Sequence, residues 1–199
     1  MCRFIESIRI QDGQIMHLND HQDRMDRTTL HFFKSKIFPR LEHYLEVPQS
    51  CQEGTFKCRI VYDQNILDIA WIPYHIRTIN SIALATLPDL DYNWKYEDRS
   101  QFKSAIGYAQ TDDIIIVRDE YLTDSSYANI IFKQGKNWLT PDTPLLDGTQ
   151  RQRLISLGLI VPCPIRISDL KMFDGLKYIN AMLSMDLSPE LPIDVIRLP

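Results

Sequence analysis

A chain of 199 residues with 44% hydrophobic and 24% charged side chains can bury the core of one or two domains, and its net charge of −4 excludes the basic surface of a nucleic-acid binder. No apolar stretch approaches the roughly 20 residues that a membrane helix needs, and the opening MCRFIESIRI reads as an amphipathic strand with no signal-peptide core. Cys2, Cys51, Cys58 and Cys163 form no CxxC pair, as expected of reduced thiols in the cytoplasm.

Residues 4–10 are rich in β formers and predict a strand, closed by a turn at Gln11-Asp12-Gly13. Asn19 or Asp20 is expected to cap a helix in which Met25, Thr29, Phe32 and Phe33 recur at helical spacing, with Pro39 breaking it. His17 and His21 stand four apart, but the expected cap falls between them, so no metal site is expected. Residues 55–62 alternate, with Phe56, Cys58, Ile60 and Tyr62 on one face and Lys57, Arg59 and Val61 on the other. Strands over 66–74 and 81–87 complete a small α+β domain of residues 1–87, and Pro88-Asp89-Leu90-Asp91 marks a linker over 88–94.

Residues 95–199 read as a larger α/β domain. A helix over 97–108 precedes the strands DDIIIV, ANIIF and NWLTP. Thr149 is expected to cap a helix ending at Gly158, and PIRIS, a short helix over 169–173 and KYINAML finish the chain. No internal repeat is present.

Taken singly, the polar residues are ordinary. Lys95 between Trp94 and Tyr96 is a surface lysine, Asp124 a turn residue, and LLDGTQRQR a helix start whose N–H groups favour an anion. In this order they resemble the fold-type IV pyridoxal-phosphate enzymes, the class IV aminotransferase family. The matching pieces are Ile5-Glu6-Ser7-Ile8-Arg9, the His21 to Arg24 turn, Lys95, and the stretch from Thr123-Asp124 to Asn129. Thr140-Pro141, Gly148-Thr149-Gln150-Arg151 and Asn180-Ala181-Met182 complete the series. The family usually has Glu where Asp124 stands, and its members usually carry some two dozen residues ahead of the first strand, so this chain looks shortened at its N-terminus.

The resemblance implies a D-amino acid aminotransferase-like fold, two domains with pyridoxal 5'-phosphate between them, and a homodimer acting on a small-molecule amino substrate. It implies Lys95 as the Schiff-base lysine and catalytic base, and Asp124 as the carboxylate that keeps the pyridine ring protonated. Arg24, the helix start at Thr149 and Gln150, and the Asn180-Ala181 turn would hold the phosphate, with Asn129 in the same cofactor set. Trp94 and Tyr96 would desolvate the lysine, and Lys103 is the rival lysine.

KYEDR and Asn180-Ala181-Met182-Leu183 lean toward the aminodeoxychorismate lyases of folate biosynthesis, which release 4-aminobenzoate and pyruvate. That substrate carries two carboxylates, so Ser7, Lys57, Arg59 and Arg99 are the candidates to meet it, against the plain reading of solvated surface groups. An aminotransferase for branched-chain or D-amino acids, and a relative that binds cofactor or partner without turnover, are the other readings.

Overall fold

The computed structural model describes residues 2–34 and 39–198. The chain is mixed α/β and divides into two units: residues 2–76 with Trp94–Asp98, and Arg77–Asn93 with residues 99–198.

The first unit begins with β1 (Phe4–Gln11), a turn, and β2 (Gln14–Ile15). Gly13 permits the turn, since its φ is 77° and a Cβ there would meet Gln52 Oε1 at 2.3 Å. Helix α1 (Leu18–Phe33) follows, then short 3₁₀ turns, β3 (Thr55–Tyr62) and β4 (Ile66–Pro73). The sheet order is β2-β1-β3-β4, antiparallel throughout. Phe4, Ile8, Ile10, Cys58, Ile60 and Tyr62 project from one face and pack with Met25 of α1 and with Leu41. Burial pushes the Cys58 thiol up to about 12, as befits a core residue. The helix start differs from expectation: Leu18 opens it behind His17, which lies in the left-handed region at φ 53°, and no side chain of Asn19 or Asp20 caps it.

Trp94–Asp98, expected as linker and helix, forms no helix and lies beside the start of β1. The N–H of Ile5 donates to Lys95 O and that of Glu97 to Arg3 O, each at 2.9 Å, around a Phe4–Tyr96 bridge. The Trp94 ring stacks on His31 at 4.7 Å and the Tyr96 ring lies 5.2 Å from Phe4. Both rings pack against the core under α1.

The second unit holds β5 (Ile82–Thr86), α2 (Ser100–Ala109), β6 (Asp113–Arg118), β7 (Tyr121–Ser125), β8 (Asn129–Gln134) and β9 (Asn137–Pro141). Helix α3 (Thr149–Ser156), β10 (Val161–Cys163), β11 (Gly175–Ile179) and β12 (Ile196–Arg197) complete it. One sheet runs β12-β5-β6-β7 and the other β10-β9-β8-β11. Ile82, Ile115, Val117, Ile130, Phe132 and Leu176 fill a core fed by both. The expected boundary at 87 shifts because β5 pairs in parallel with β6, a crossover carried by α2. PIRIS forms no strand: Arg166 makes one bridge to Tyr121, and Ile167–Met172 turns as a 3₁₀ helix. No helix among the described residues is long and apolar enough to cross a membrane.

Candidate active site

In the first unit Glu6 points from β1 toward α1 and is fully buried, in a sequence pattern that would otherwise place an apolar side chain there. Arg24 one turn beyond His21 takes it in a fork: Nε donates to Oε1 at 2.7 Å and Nη2 donates to Oε2. His21 meets Oε2 through Nδ1 at 2.7 Å. Burial raises the Glu6 carboxyl, but the Arg24 charge and the bonds from Arg24 and His21 prevail and hold it far below the usual range. His21 is pushed down, chiefly by burial, with the charges of Arg24 and Lys95 adding to the effect. A neutral ring beside an ionised, acceptor-only carboxylate carries its proton on Nδ1. Removing one member of such a buried pair strands the other and costs about 3–5 kcal/mol.

Lys95 is half-buried, at the apex of a tight turn closed by the N–H of Tyr96 on Trp94 O at 2.9 Å. Lys103 sits exposed on α2. Ser7 and Arg59 are directly opposite in the β1–β3 register, and Lys57 follows on the same face. Arg99 belongs to the second unit, where its guanidinium lies over the Tyr92 and Phe102 rings at 5.9 and 5.4 Å.

In the second unit Asp124 is 4% exposed. Asn129 Nδ2 donates to Oδ1 at 2.7 Å, and the N–H of Leu146 donates to Oδ2 at 3.0 Å. Burial outweighs these bonds and lifts the carboxyl to about 6. Asn129 also donates to Leu146 O at 2.9 Å, which ties β8 to the loop before α3. Gly148, not Thr149, takes the N-cap position of α3, with no side-chain cap. A Cβ at Gly148 would lie 2.1 Å from Asn129 Oδ1, so only glycine lets the helix start approach the Asp124–Asn129 pair this closely.

Arg151, part of the sequence motif but given no role from it, is buried and donates from Nη2 to Pro141 O at 2.8 Å. It joins the Thr140-Pro141 and Gly148–Arg151 motifs, and its buried Nε has no partner. Asn180 closes a turn after β11, its Oδ1 accepting the N–H groups of Met182 and Leu183 at 2.9 and 3.0 Å, with Ala181 at the tip. Sequence reasoning missed the fork on Glu6. A carboxylate at a core-facing strand position is the signal that could have found it, because a buried charge requires a partner.

These residues fit pyridoxal phosphate. An ionised Asp124 in so dry a site suits a protonated ring nitrogen, and the glycine-opened, uncapped α3 start with a buried cationic Arg151 suits a phosphate.

The amino-transferase class IV family matches residues 93–185. An uncharacterized protein of Haemophilus influenzae is 36% identical over 92% of this chain and 98% of its own. The structure of a protein from Haemophilus somnus, provisionally named a 4-amino-4-deoxychorismate lyase, is 30% identical over 93% of this chain and 98% of that one, with a TM-score of 0.84. A hypothetical aminotransferase from Mycobacterium tuberculosis, solved in its PLP-bound form, shares the fold with a TM-score of 0.75 at 16% identity over 96% of this chain and 80% of that one. On sequence and fold together, the chain belongs to the class IV aminotransferase family of fold-type IV PLP enzymes.

Proposed function

We propose that this protein is a PLP-dependent lyase that converts 4-amino-4-deoxychorismate to 4-aminobenzoate and pyruvate, with Lys95 as its catalytic residue. The observation that carries the cofactor half of this reading is Asp124, a buried carboxylate held on both oxygens. The lyase half draws on the name of the Haemophilus somnus relative.

When bound, the cofactor supplies an electron sink in its protonated ring. Asp124, aimed by Asn129 and the Leu146 amide, keeps the ring nitrogen protonated. Thr149 and Gln150 at the α3 start, Arg24 and the Asn180-Ala181 turn hold the phosphate oxygens. Lys95 Nζ would hold the cofactor at rest and would act as base at the carbon bearing the substrate amine. Departure of enolpyruvate leaves an aromatic ring, so the side chains need only bind, orient and move one proton. Ser7, Lys57 and Arg59 on their shared sheet face are the candidates to meet the substrate carboxylates, and Arg99 is a further cation in the second unit.

The test is the visible spectrum on adding pyridoxal phosphate, then borohydride reduction and peptide mapping, then product analysis. We expect a new absorption band, the label on Lys95, and 4-aminobenzoate and pyruvate formed with no 2-oxo acid acceptor added. A label scattered over other lysines overturns the cofactor role of Lys95. Turnover that requires a 2-oxo acid acceptor makes the enzyme an aminotransferase instead.

A further inference from the structure

Beside the lysine segment the first unit carries an unusual run of charges. The second face of its sheet carries, in successive rows, a buried Ile5–Val61 pair, then half-buried Ser7 opposite Arg59 and Arg9 opposite Lys57. Like charges directly opposite each other on a sheet repel, and Arg9 and Lys57 do so on half-buried positions. Arg9 donates from Nη2 to Gln11 Oε1 at 2.7 Å, and Asp12 feels its charge, yet its buried Nε has no partner. Asp68, opposite Val61, is the exposed carboxylate at the other end of the face.

Arg59 in the middle row is occupied: Nη2 donates to Glu97 Oε1 at 2.8 Å, with side chains 29% and 30% exposed. Glu97 is two residues along the chain from Lys95. Its other oxygen lies 3.8 Å from Arg3 Nη1, a residue whose side chain is 62% exposed. Glu97 can therefore leave Arg59 without stranding its own charge, because Arg3 and water receive it. A partly exposed pair of this kind is weak and exchangeable.

We propose that Glu97 is an internal stand-in for a substrate carboxylate, and that this face selects substrates with two carboxylates. One carboxylate displaces Glu97 from Arg59 while Glu97 turns to Arg3. The other sits at the Arg9–Lys57 row, about 7 Å further along the strands, where it relieves the like-charge opposition. The inference deepens the proposed lyase reading and rests on it for the identity of the substrate. Glu97 is a positioning residue here, acting through Arg59, and it sets a threshold that a single carboxylate does not cross.

The experiment is calorimetric titration of the cofactor-loaded protein with glutarate and with butyrate, unreactive probes bearing two carboxylates and one. Glu97→Gln should tighten glutarate about three- to tenfold. Arg59→Met should weaken it and cancel the gain in the double variant. Lys57→Met should weaken glutarate and leave butyrate unchanged. Arg3→Ala, a change at an exposed position, should weaken glutarate by removing the alternative partner of Glu97. Glutarate affinity within twofold of the parent in both Glu97→Gln and Arg3→Ala overturns the proposal. Borohydride labelling of the same preparations separates the two readings. Label on Lys95 with no Glu97 effect sinks the stand-in alone, whereas a Glu97 effect without label on Lys95 sinks the cofactor role and leaves the anion site standing.

Discussion

Asp124 shows how a single side chain can be set against the stability of its own fold. Its carboxyl holds a proton up to about pH 6 in the folded chain, against an ordinary value of 3.8. Between those values the folded protein binds more protons than the unfolded one, so stability falls as pH rises through the window and the loss is complete above it. His21 and Glu6 act in the opposite sense. Their pKa values are lowered from 6.5 and 4.5, so acidification below each takes stability away. The whole-protein pH profile therefore mixes opposing contributions, and Asp124 is isolated only by a difference. In cofactor-free protein, urea unfolding of Asp124→Asn against the parent should show the variant gaining roughly 2–3 kcal/mol in relative stability between pH 4 and pH 7.5. A constant difference across that range would mean that Asp124 does not titrate there. The same destabilised carboxylate is what a cationic ring would relieve, which links the cost in the empty chain to affinity for the cofactor.

At the scale of elements, Asp124 is held through a short relay from β7 to Asn129 on β8 and to the start of α3, where Gly148 leaves room for Asn129 Oδ1. Gly148→Ala should force Asn129 off Asp124, lower stability by about 1–3 kcal/mol, and weaken cofactor binding in a spectrophotometric titration. Unchanged affinity would show that the relay is not needed. This relay also marks how far the sequence was legible. The strand at 55–62 announces itself by period-two alternation, and Asp124 and Asn129 stand in one motif. The hydrogen bond between them, and the glycine that allows the helix to approach, depend on contacts that no local pattern encodes. Glu97 read as helix for the same reason: its N–H bonds the carbonyl of Arg3, 94 residues earlier, instead of one within a helix. The strand at 81–87 was readable as a strand, but not its partner, because parallel pairing is settled across the intervening α2. Glu6 was legible as a motif residue, whereas its fork with Arg24 required β1 and α1 to be brought face to face.

Across the whole molecule, the chain leaves the first unit after Ile76, returns for Trp94–Asp98, and leaves again. The first unit is therefore not a contiguous stretch of sequence. Five residues from far along the chain meet its sheet through one bridge, Phe4 to Tyr96, and one of those five is Lys95. Main-chain hydrogen bonds with Ile5 of β1 and with Arg3 just before it, the Trp94 ring on His31 and Phe32, and the Tyr96 ring on Phe4 and Phe32 hold the segment. Most of that hold is aromatic packing, so Tyr96→Ala should cost about 2–3 kcal/mol in the stability of the first unit. Native-state hydrogen exchange reads the effect locally: the amides of Ile5 and Glu97, which bond Lys95 O and Arg3 O, should exchange at least about tenfold faster. Amides of β6 and β8, in the second unit, should keep their protection. If they lose as much as Ile5 does, the two units open as one and the segment is not a separately held part. If only Ile5 and Glu97 respond, the position of the lysine is set by how well this borrowed segment is packed, and a change in its aromatic anchors would alter Lys95 without touching any group that meets the substrate.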